Sequence, residues 1–532
     1  MDFYRDEWLP HLKGSIPKEA TRNRISLYTI ALEGWRRGLK LRFYNRSTKE
    51  TPNEIIYSLE SESRIHYFNE SNGDKNSDKA LEICNDKGLT YDYLKKANVP
   101  IPSGKRFDNR SEINEMIDFA SGLSFPLVVK PTNASSGKGV ITNIKDLNSL
   151  KDAIVYVREK LLYDNIIIQE HIEGKEVRIY VLNDQVIAAT NRLPANIVGD
   201  GKSTIVKLIE EKNKFRKQIP HLYYRPIKID SQLKDLLHRK GYNLDSVLKK
   251  GERLFLRKIS NVSAGGDPVD VTDQLTVKQK KIAIEAVKAI PGLTHCGVDM
   301  MISDDNDSGV VLEINTSPGI GSHLFPIEGN ARDIPKALID YYFPETVNSN
   351  SRNSNVYFGL QPIFDSLYGG YLSELEIKPH PENKLTCKRI FIHTDLSLVD
   401  FYNKIKKMIL KWDINGYVQK KDSDTLEVLI GHENVKNLEK FIKFLLDKKT
   451  YLKIKNFVED EWNQPIKIGF ELLDEFNNMS IIELENYYNQ NHKEIRVLER
   501  EVIRLSKRVE QVKNSHSWKL TKPLRKVKNI FK

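Results

Sequence analysis

The residues whose types and spacing most clearly do chemistry lie between 297 and 315. Gly297-Val298-Asp299-Met300-Met301-Ile302 reads as a strand, SDDNDSG (303–309) as a turn, and Val310-Val311-Leu312-Glu313-Ile314-Asn315 as a second strand. A hairpin centred near Asn306 sets Asp299 opposite Glu313. Glu313 and Asn315 are two apart and share that face. Two carboxylates and an amide oxygen then converge among apolar neighbours. Left unpaired, each buried carboxylate would cost roughly several kcal/mol. A hard cation with oxygen ligands removes that cost, and Mg²⁺ bridging nucleotide phosphates fits the donor set. The competing reading is an ordinary hairpin with solvated acids, which the apolar neighbours disfavour.

Upstream, Phe125-Pro126-Leu127-Val128-Val129-Lys130-Pro131 reads as a buried strand ending in a lysine. It is followed by Asn133-Ala134-Ser135-Ser136-Gly137-Lys138-Gly139-Val140. Small residues and two glycines let backbone N–H groups approach a phosphate, and Lys130 and Lys138 add charge. The Walker A spacing is absent, and a plain Gly/Ser turn is the simpler account of this loop taken alone. Ile166-Ile167-Ile168-Gln169-Glu170 is an apolar strand leading into His171-Ile172-Glu173-Gly174-Lys175-Glu176. A hinge with free backbone groups beside apolar walls suits an adenine ring. A carboxylate shortly after it suits ribose hydroxyls. Taken alone, a charged loop between strands explains this stretch as simply.

These segments need elements to position them. From 125 onward, strands and helices alternate in an α/β pattern. Residues 86–107 predict a helix stopped by Pro100 and Pro102. Residues 22–45 predict an amphipathic helix and then a strand, with no chemistry legible in them. The chain has 532 residues, 39% hydrophobic and 29% charged, enough apolar material for ordered cores in about three or four domains. No run nears the ~18–20 apolar residues of a membrane span. The start, MDFYRDEWLPHLKG, has no apolar signal region. Cys84, Cys296 and Cys387 are too scattered for a disulfide framework or a zinc site, which predicts a reducing cytosol.

Three stretches in this order resemble the ATP-grasp superfamily of carboxylate–amine ligases, over roughly residues 80–344. NTSPGIGSH (315–323) is similar to the corresponding segment of D-alanine–D-alanine ligases. NRLPANIVGDGKSTIVKLIEEKN (191–213) and LRKISNVSAGGDPVDVTD (256–273) are similar to the ATP-grasp region of cyanophycin synthetase and bifunctional glutathione synthetases. The resemblance implies roles for individual residues. Lys130 would hold the α/β-phosphates, and the loop with Ser135, Ser136, Gly137, Lys138 and Gly139 would close over the β/γ-phosphates as a lid. Gln169, Glu170 and Ile172 would line the adenine, and Glu176 would hold the ribose. Asp299, Glu313 and Asn315 would ligate two Mg²⁺ ions, with Mn²⁺ as an alternative. Arg192 and Arg257 would neutralise charge at a reacting acyl phosphate, with a structural salt bridge as the competing role for either. The D-alanine ligases carry an arginine two residues before the metal aspartate. Here that position is Gly297, so Arg257 would have to supply its charge.

Residues 386–473 resemble acylphosphatase in a βαββαβ order: strand 388–393, helix 398–410, strands 415–420 and 426–431, helix 434–447, and a late strand ending GFEL (469–472). The family's phosphate-binding arginine and its catalytic asparagine fall at Tyr402 and Lys420, and residues 393–399 contain no glycine. That pattern implies a fold kept for docking, against the alternative of an editing hydrolase. From Ile481 through Leu484, Tyr488, Asn491, Ile495, Leu498, Val502, Leu505 and Val509 to Val512, steps of three and four give five heptads of a coiled-coil seam. The net charge is +11, and the last 18 residues hold six cations and no acid. With interleaved Trp518, Leu520, Leu524 and Phe531, that tail suits an anionic membrane face or a docking partner. SWKLTKPLR is similar to a tail found on bacterial cell-surface polysaccharide enzymes. The rest of the chain is near balance and gives no composition argument for nucleic acid.

The expected architecture is therefore α/β: an ATP-grasp fold, a ferredoxin-like α+β domain and a C-terminal coiled-coil helix. Its expected parts are an N-terminal α/β region (1–82), the ATP-grasp domain (83–345), a linker (346–384), the acylphosphatase-like domain (385–474), the coiled coil (480–514) and the basic tail (515–532). The expected activity is ATP- and Mg²⁺-dependent joining of a small carboxylate to an amine, in cell-surface or polyamide synthesis. The expected setting is a cytoplasmic homo-oligomer, peripheral at the inner membrane face through its tail. An acylphosphatase and a non-catalytic nucleotide-binding scaffold are the alternatives. Neither acid nor amine is legible in the sequence.

Overall fold

The computed structural model describes residues 8–21, 23–48, 54–134, 138–257, 260–303, 307–349 and 355–473. The heptad seam, the basic tail and loop residues Ser135, Ser136 and Gly137 lie outside these.

Two antiparallel sheets carry the middle of the chain. The first has four strands in the order Gly104–Phe107, Ile166–Glu170, Leu127–Pro131, Ile141–Ile144. Its inner face packs Phe107, Leu127, Val129, Ile166 and Ile168 against helices Ile113–Ala120 and Leu147–Val155. The second has five strands in the order Asp267–Asp270, Gln185–Leu193, Lys175–Leu182, His295–Ile302, Gly309–Asn315. Along Lys175–Leu182 the side chains alternate between the sheet's two faces. Val177, Ile179 and Val181 bury into a core with Ile282, Ala283 and Ala286 of helix Val277–Lys288. Glu176, Arg178 and Tyr180 take the opposite face. The helix is held at its start by a capping box between Thr276 and Gln279.

The helix expected from residue 86 spans Lys87–Lys96, with the Asp86 side chain accepting from Gly88 and Leu89 N–H. It ends before either proline, at Asn98 in the left-handed region (φ 56°). There the Val99 N–H donates back to Leu94 C=O, so the stop is a C-terminal cap made by asparagine.

The linker expected over 346–384 is corrected by the structure. Only its first part carries the Ser/Asn signal. Val356, Phe358, Leu360, Ile363, Phe364 and Leu367 bury in the same core as Trp35 and Phe43. Strand Glu374–Glu376 pairs with Lys40–Asn45 at the edge of the N-terminal sheet, Leu375 opposite Phe43. Two stretches far apart in sequence thus build one N-terminal unit around helix Ile25–Arg36, every residue of which is buried.

Residues 386–473 form a five-stranded sheet in the order Ile454–Glu461, Thr386–Thr394, Thr425–His432, Asn415–Lys420, Phe470–Leu473. Helices Leu398–Trp412 and Val435–Asp447 bury Phe401, Ile405, Leu438 and Phe441 against it. The fourth strand is Ile454–Glu461 rather than the GFEL segment, which adds as a fifth strand parallel to Asn415–Lys420. Alternation in IKNFVEDE is masked because this edge strand is mostly exposed on both faces. Among the described residues no helix is long and apolar enough to cross a membrane.

Candidate active site

The five-stranded sheet sets a transverse row of polar side chains across one face. Asp270 lies opposite Thr190, Thr190 opposite Arg178, Arg178 opposite Asp299, and Asp299 opposite Glu313. The Asp299–Glu313 pairing is the one expected from the hairpin. Beyond it a bulge slips the register, so Met300 faces Val311. Asn315 lies two residues on from Glu313, on the same face.

Arg178 grips Asp299 with two parallel bonds, Nε to Oδ1 at 2.7 Å and Nη2 to Oδ2 at 2.6 Å. Arg192 flanks the pair, 3.4 Å from Glu176 Oε1 and 3.8 Å from Asp299 Oδ1. Burial would raise the Asp299 carboxyl, but Arg178, with help from Arg192, overrides it and holds the group below the usual range. Glu176 goes the other way: burial and the Asp299 charge raise it. The cluster is therefore a coupled set of anions and guanidiniums rather than a free carboxylate pair.

A crevice opens where this sheet meets the four-stranded one. Lys130 and Gln169 line it from one side, Leu312, Glu313 and Ile314 from the other, and Lys87 and Tyr91 border it from helix Lys87–Lys96. Lys87 is ion-paired with Glu313. Burial and the Lys87 charge lower Lys130 to about 8. Gln169 is 4% exposed and its Oε1 has no hydrogen-bond partner. A buried unpaired amide oxygen costs free energy that a ligand N–H in the crevice would recover.

The structure thus brings Lys130, Gln169, Glu176, Arg192, Asp299, Glu313 and Asn315 toward one region. It does not bring Arg257 there. That guanidinium donates to Asp230 Oδ2 at 2.7 Å and Lys228 C=O at 2.9 Å. The space beside Gly297 is taken by Pro318, whose Cβ lies 2.8 Å from where a Cβ at 297 would stand, with Arg178 Cδ next at 3.6 Å. Glu170 is also engaged elsewhere, its Oε1 accepting from Ser124 N–H at 2.9 Å. Ile172 is half-buried just beyond the strand, Lys138 is exposed, and Gly139 adopts φ +70° against Pro131. Sequence reasoning missed Arg178 and Lys87. Arg178 carries a legible signal, since it shares the Glu176 face by alternation, but its pairing with Asp299 depends on a strand register that local sequence does not display.

Among the described residues no three His, Cys, Asp or Glu side chains gather as a metal cage. The oxygen donors are two carboxylates and the Asn315 amide, whose Oδ1 accepts from Ser317 N–H at 3.0 Å. These donor types suit a hard cation, and binding at Glu313 requires Lys87 to release it.

Residues 84–219 and 257–333 match the RimK-like ATP-grasp domain. Cyanophycin synthetase of Synechocystis is 31% identical over 275 residues, covering 50% of this chain and 31% of that protein. The glutathione biosynthesis bifunctional protein of Clostridium perfringens is 30% identical over 328 residues, covering 60% of this chain and 41% of that protein. The crystal structure of a bifunctional glutathione synthetase from Pasteurella multocida aligns with 26% identity and a TM-score of 0.45, over 55% of this chain and 41% of that one. The chain spans less than half the length of these relatives. ATP and Mg²⁺ are the cofactors of ATP-grasp ligases. The crevice and the charge row both lie within the residues that match this domain.

Proposed function

We propose that this chain is an ATP-dependent carboxylate–amine ligase working through an acyl phosphate. The observation that carries this reading is the row of charged side chains Arg178, Asp299 and Glu313, whose Glu313 end lines a crevice bearing Lys130 and the unpaired Gln169 amide. A carboxylate oxygen of the acid attacks the γ-phosphorus, and ADP leaves. The amine nitrogen then attacks the acyl carbon, phosphate leaves, and the nitrogen's proton passes to solvent. Lys130 and Lys87 hold phosphate charge, Gln169 meets the base edge, and Arg178 and Arg192 face the charge that builds at the transferring group. Asp299, Glu313 and Asn315 would hold Mg²⁺, which supplies charge neutralisation between the phosphates. The six-residue pattern of the sugar and lid contacts, Glu176, Ser135, Ser136, Gly137, Lys138 and Gly139, completes the reading. The test is ADP release from a defined metabolite pool, with the products identified by mass spectrometry. Release that needs both an acid and an amine supports the ligase. Nucleotide binding without turnover supports the scaffold alternative.

The domain plan follows the same reading, amended so that residues 355–377 join the N-terminal unit. In the C-terminal module the first strand lies between the fourth and third, which supports a ferredoxin-like fold of acylphosphatase type. Tyr402 stacks with Phe470 (ring centroids 6.4 Å apart), and Lys420 is exposed at a strand end. Neither supports hydrolysis, so the module serves docking. The heptad seam would drive self-association, and the basic tail would draw the enzyme to an anionic inner membrane face.

A further inference from the structure

The five-stranded sheet carries a second cavity on the face away from the charge row, where the phosphoryl chemistry has no use for it. Alternation puts Val177, Ile179 and Val181 on that face, with Asn191 opposite Val177 and Ala189 opposite Ile179. Helix Val277–Lys288 covers the Ile179 end with Ile282, Ala283 and Ala286. At the start of the helix, around its cap residue Thr276, the sheet is left with a cavity of about 350 Å³. Val177, Val271, Leu275 and Ile302 give it apolar walls. That volume is in the range of small-molecule sites.

The polar lining of this cavity has a definite chemistry. Asn191 stands where the strand's alternation calls for an apolar residue, two on from the fully buried Ala189. Its half-buried amide makes no hydrogen bond to a described residue, and neither does the amide of Gln274 in the same lining. Each offers both donors and an acceptor. Thr276 Oγ accepts from Gln279 N–H at 3.1 Å, which leaves the hydroxyl proton to donate. Lys175 and Asp307 line the same cavity and add one charge of each sign.

We propose that this cavity is a second ligand site and binds a small zwitterion, a free amino acid or a dipeptide. Its ammonium meets Asp307 and the amide oxygens of Asn191 and Gln274. Its carboxylate meets Lys175 and the Thr276 O–H, and its side chain lies on the apolar walls. One lysine offset by one aspartate leaves no net charge to hold a polyphosphate. A wholly apolar occupant would strip water from two amides and two charges and return no hydrogen bond. Lys175 and Val177 alternate with Glu176 and Arg178 along one strand, so the site backs onto the charge row without sharing its side chains. Binding there needs neither nucleotide nor turnover, and it stands apart from the ligase reading.

The test is hydrogen–deuterium exchange on the full chain, free of nucleotide, with two probes. One is an equimolar pool of the protein amino acids and their glycyl dipeptides; the other is the same pool acetylated at nitrogen and amidated at the carboxyl. The first N–H groups of a helix have no intrahelical partner, so residues 274–279 report directly on an occupant. The zwitterion pool should slow their exchange in the wild type, and the blocked pool should not. Asn191→Leu and Asp307→Asn should each raise the concentration needed for that protection about 10- to 100-fold. No slowing over 274–279, equal slowing by the blocked pool, or undiminished protection in both variants would overturn the proposal. Protection confined to the strands of the charge row would overturn it too, because the ligand would then lie on the other face. The wild-type comparison of the two pools decides even if a variant fails to fold.

Discussion

Nucleotide affinity should fall as pH rises through about 8, because of Lys130. Burial and the neighbouring Lys87 pull its ammonium down to about 8, against a smaller opposing pull from Glu313. Lysine is charged below its pKa and neutral above it, and only the ammonium attracts phosphate oxygens. A group titrating at about 8 is roughly nine-tenths charged at pH 7 and about one-tenth charged at pH 9. If only the charged form binds, the apparent Kd rises about tenfold over that interval, or about 1.4 kcal/mol. An ordinary lysine near ~10.4 would give almost no change there. Lys87→Gln removes the like charge and releases Glu313 from its ion pair, and both effects raise Lys130. The loss of affinity should therefore move to higher pH in that variant, on a weaker baseline. Calorimetric titration with ADP, free of divalent ions and at constant ionic strength, measures this from about pH 6.5 to about 9.5. Lys130→Gln should bind weakly with a flat profile. A wild-type Kd that stays level from pH 7 to 9, or an inflection that Lys87→Gln does not move, refutes the reasoning.

Three further outcomes are expected. Glu313→Gln keeps the shape but removes a ligand charge, and should abolish ADP release; full turnover would sink its assignment as a metal ligand. Arg178→Met leaves the buried Asp299 carboxylate without its bidentate partner and should destabilise the ATP-grasp domain by about 3–5 kcal/mol, with much of the loss recovered in Arg178→Met/Asp299→Leu. Urea unfolding midpoints of the single and double variants decide this, and equal losses in both would count against the pair. Gly321→Ala drives a methyl into His221 and should cost about 1–3 kcal/mol, visible as a lowered melting temperature. A variant as stable as wild type would mean that His221 moves aside freely.

The legible parts of this molecule are those encoded by local pattern. The two apolar runs flanking the polar cluster at 303–309 set Asp299 against Glu313 across one hairpin. The apolar strand ending in Lys130, and the one ending in Gln169 and Glu170, were equally visible, because each is a short buried run closed by a polar residue. Local pattern also delimited both C-terminal helices to within two residues.

Tertiary structure decided the partners. Arg178 meets Asp299 only because the hairpin strand lies antiparallel to Lys175–Leu182 in one register, and that pairing joins segments 121 residues apart. Lys87 reaches Glu313 over 226 residues because a helix packs across the sheet edge. Arg257 is drawn away by the carboxylate of Asp230, 27 residues before it. The stretch after the Ser/Asn run, expected as linker, supplied an edge strand and buried side chains to an N-terminal sheet more than 300 residues away. Residue types state which charges and apolar faces must be satisfied. They do not state by whom, because the competing partners are close in energy until packing excludes all but one.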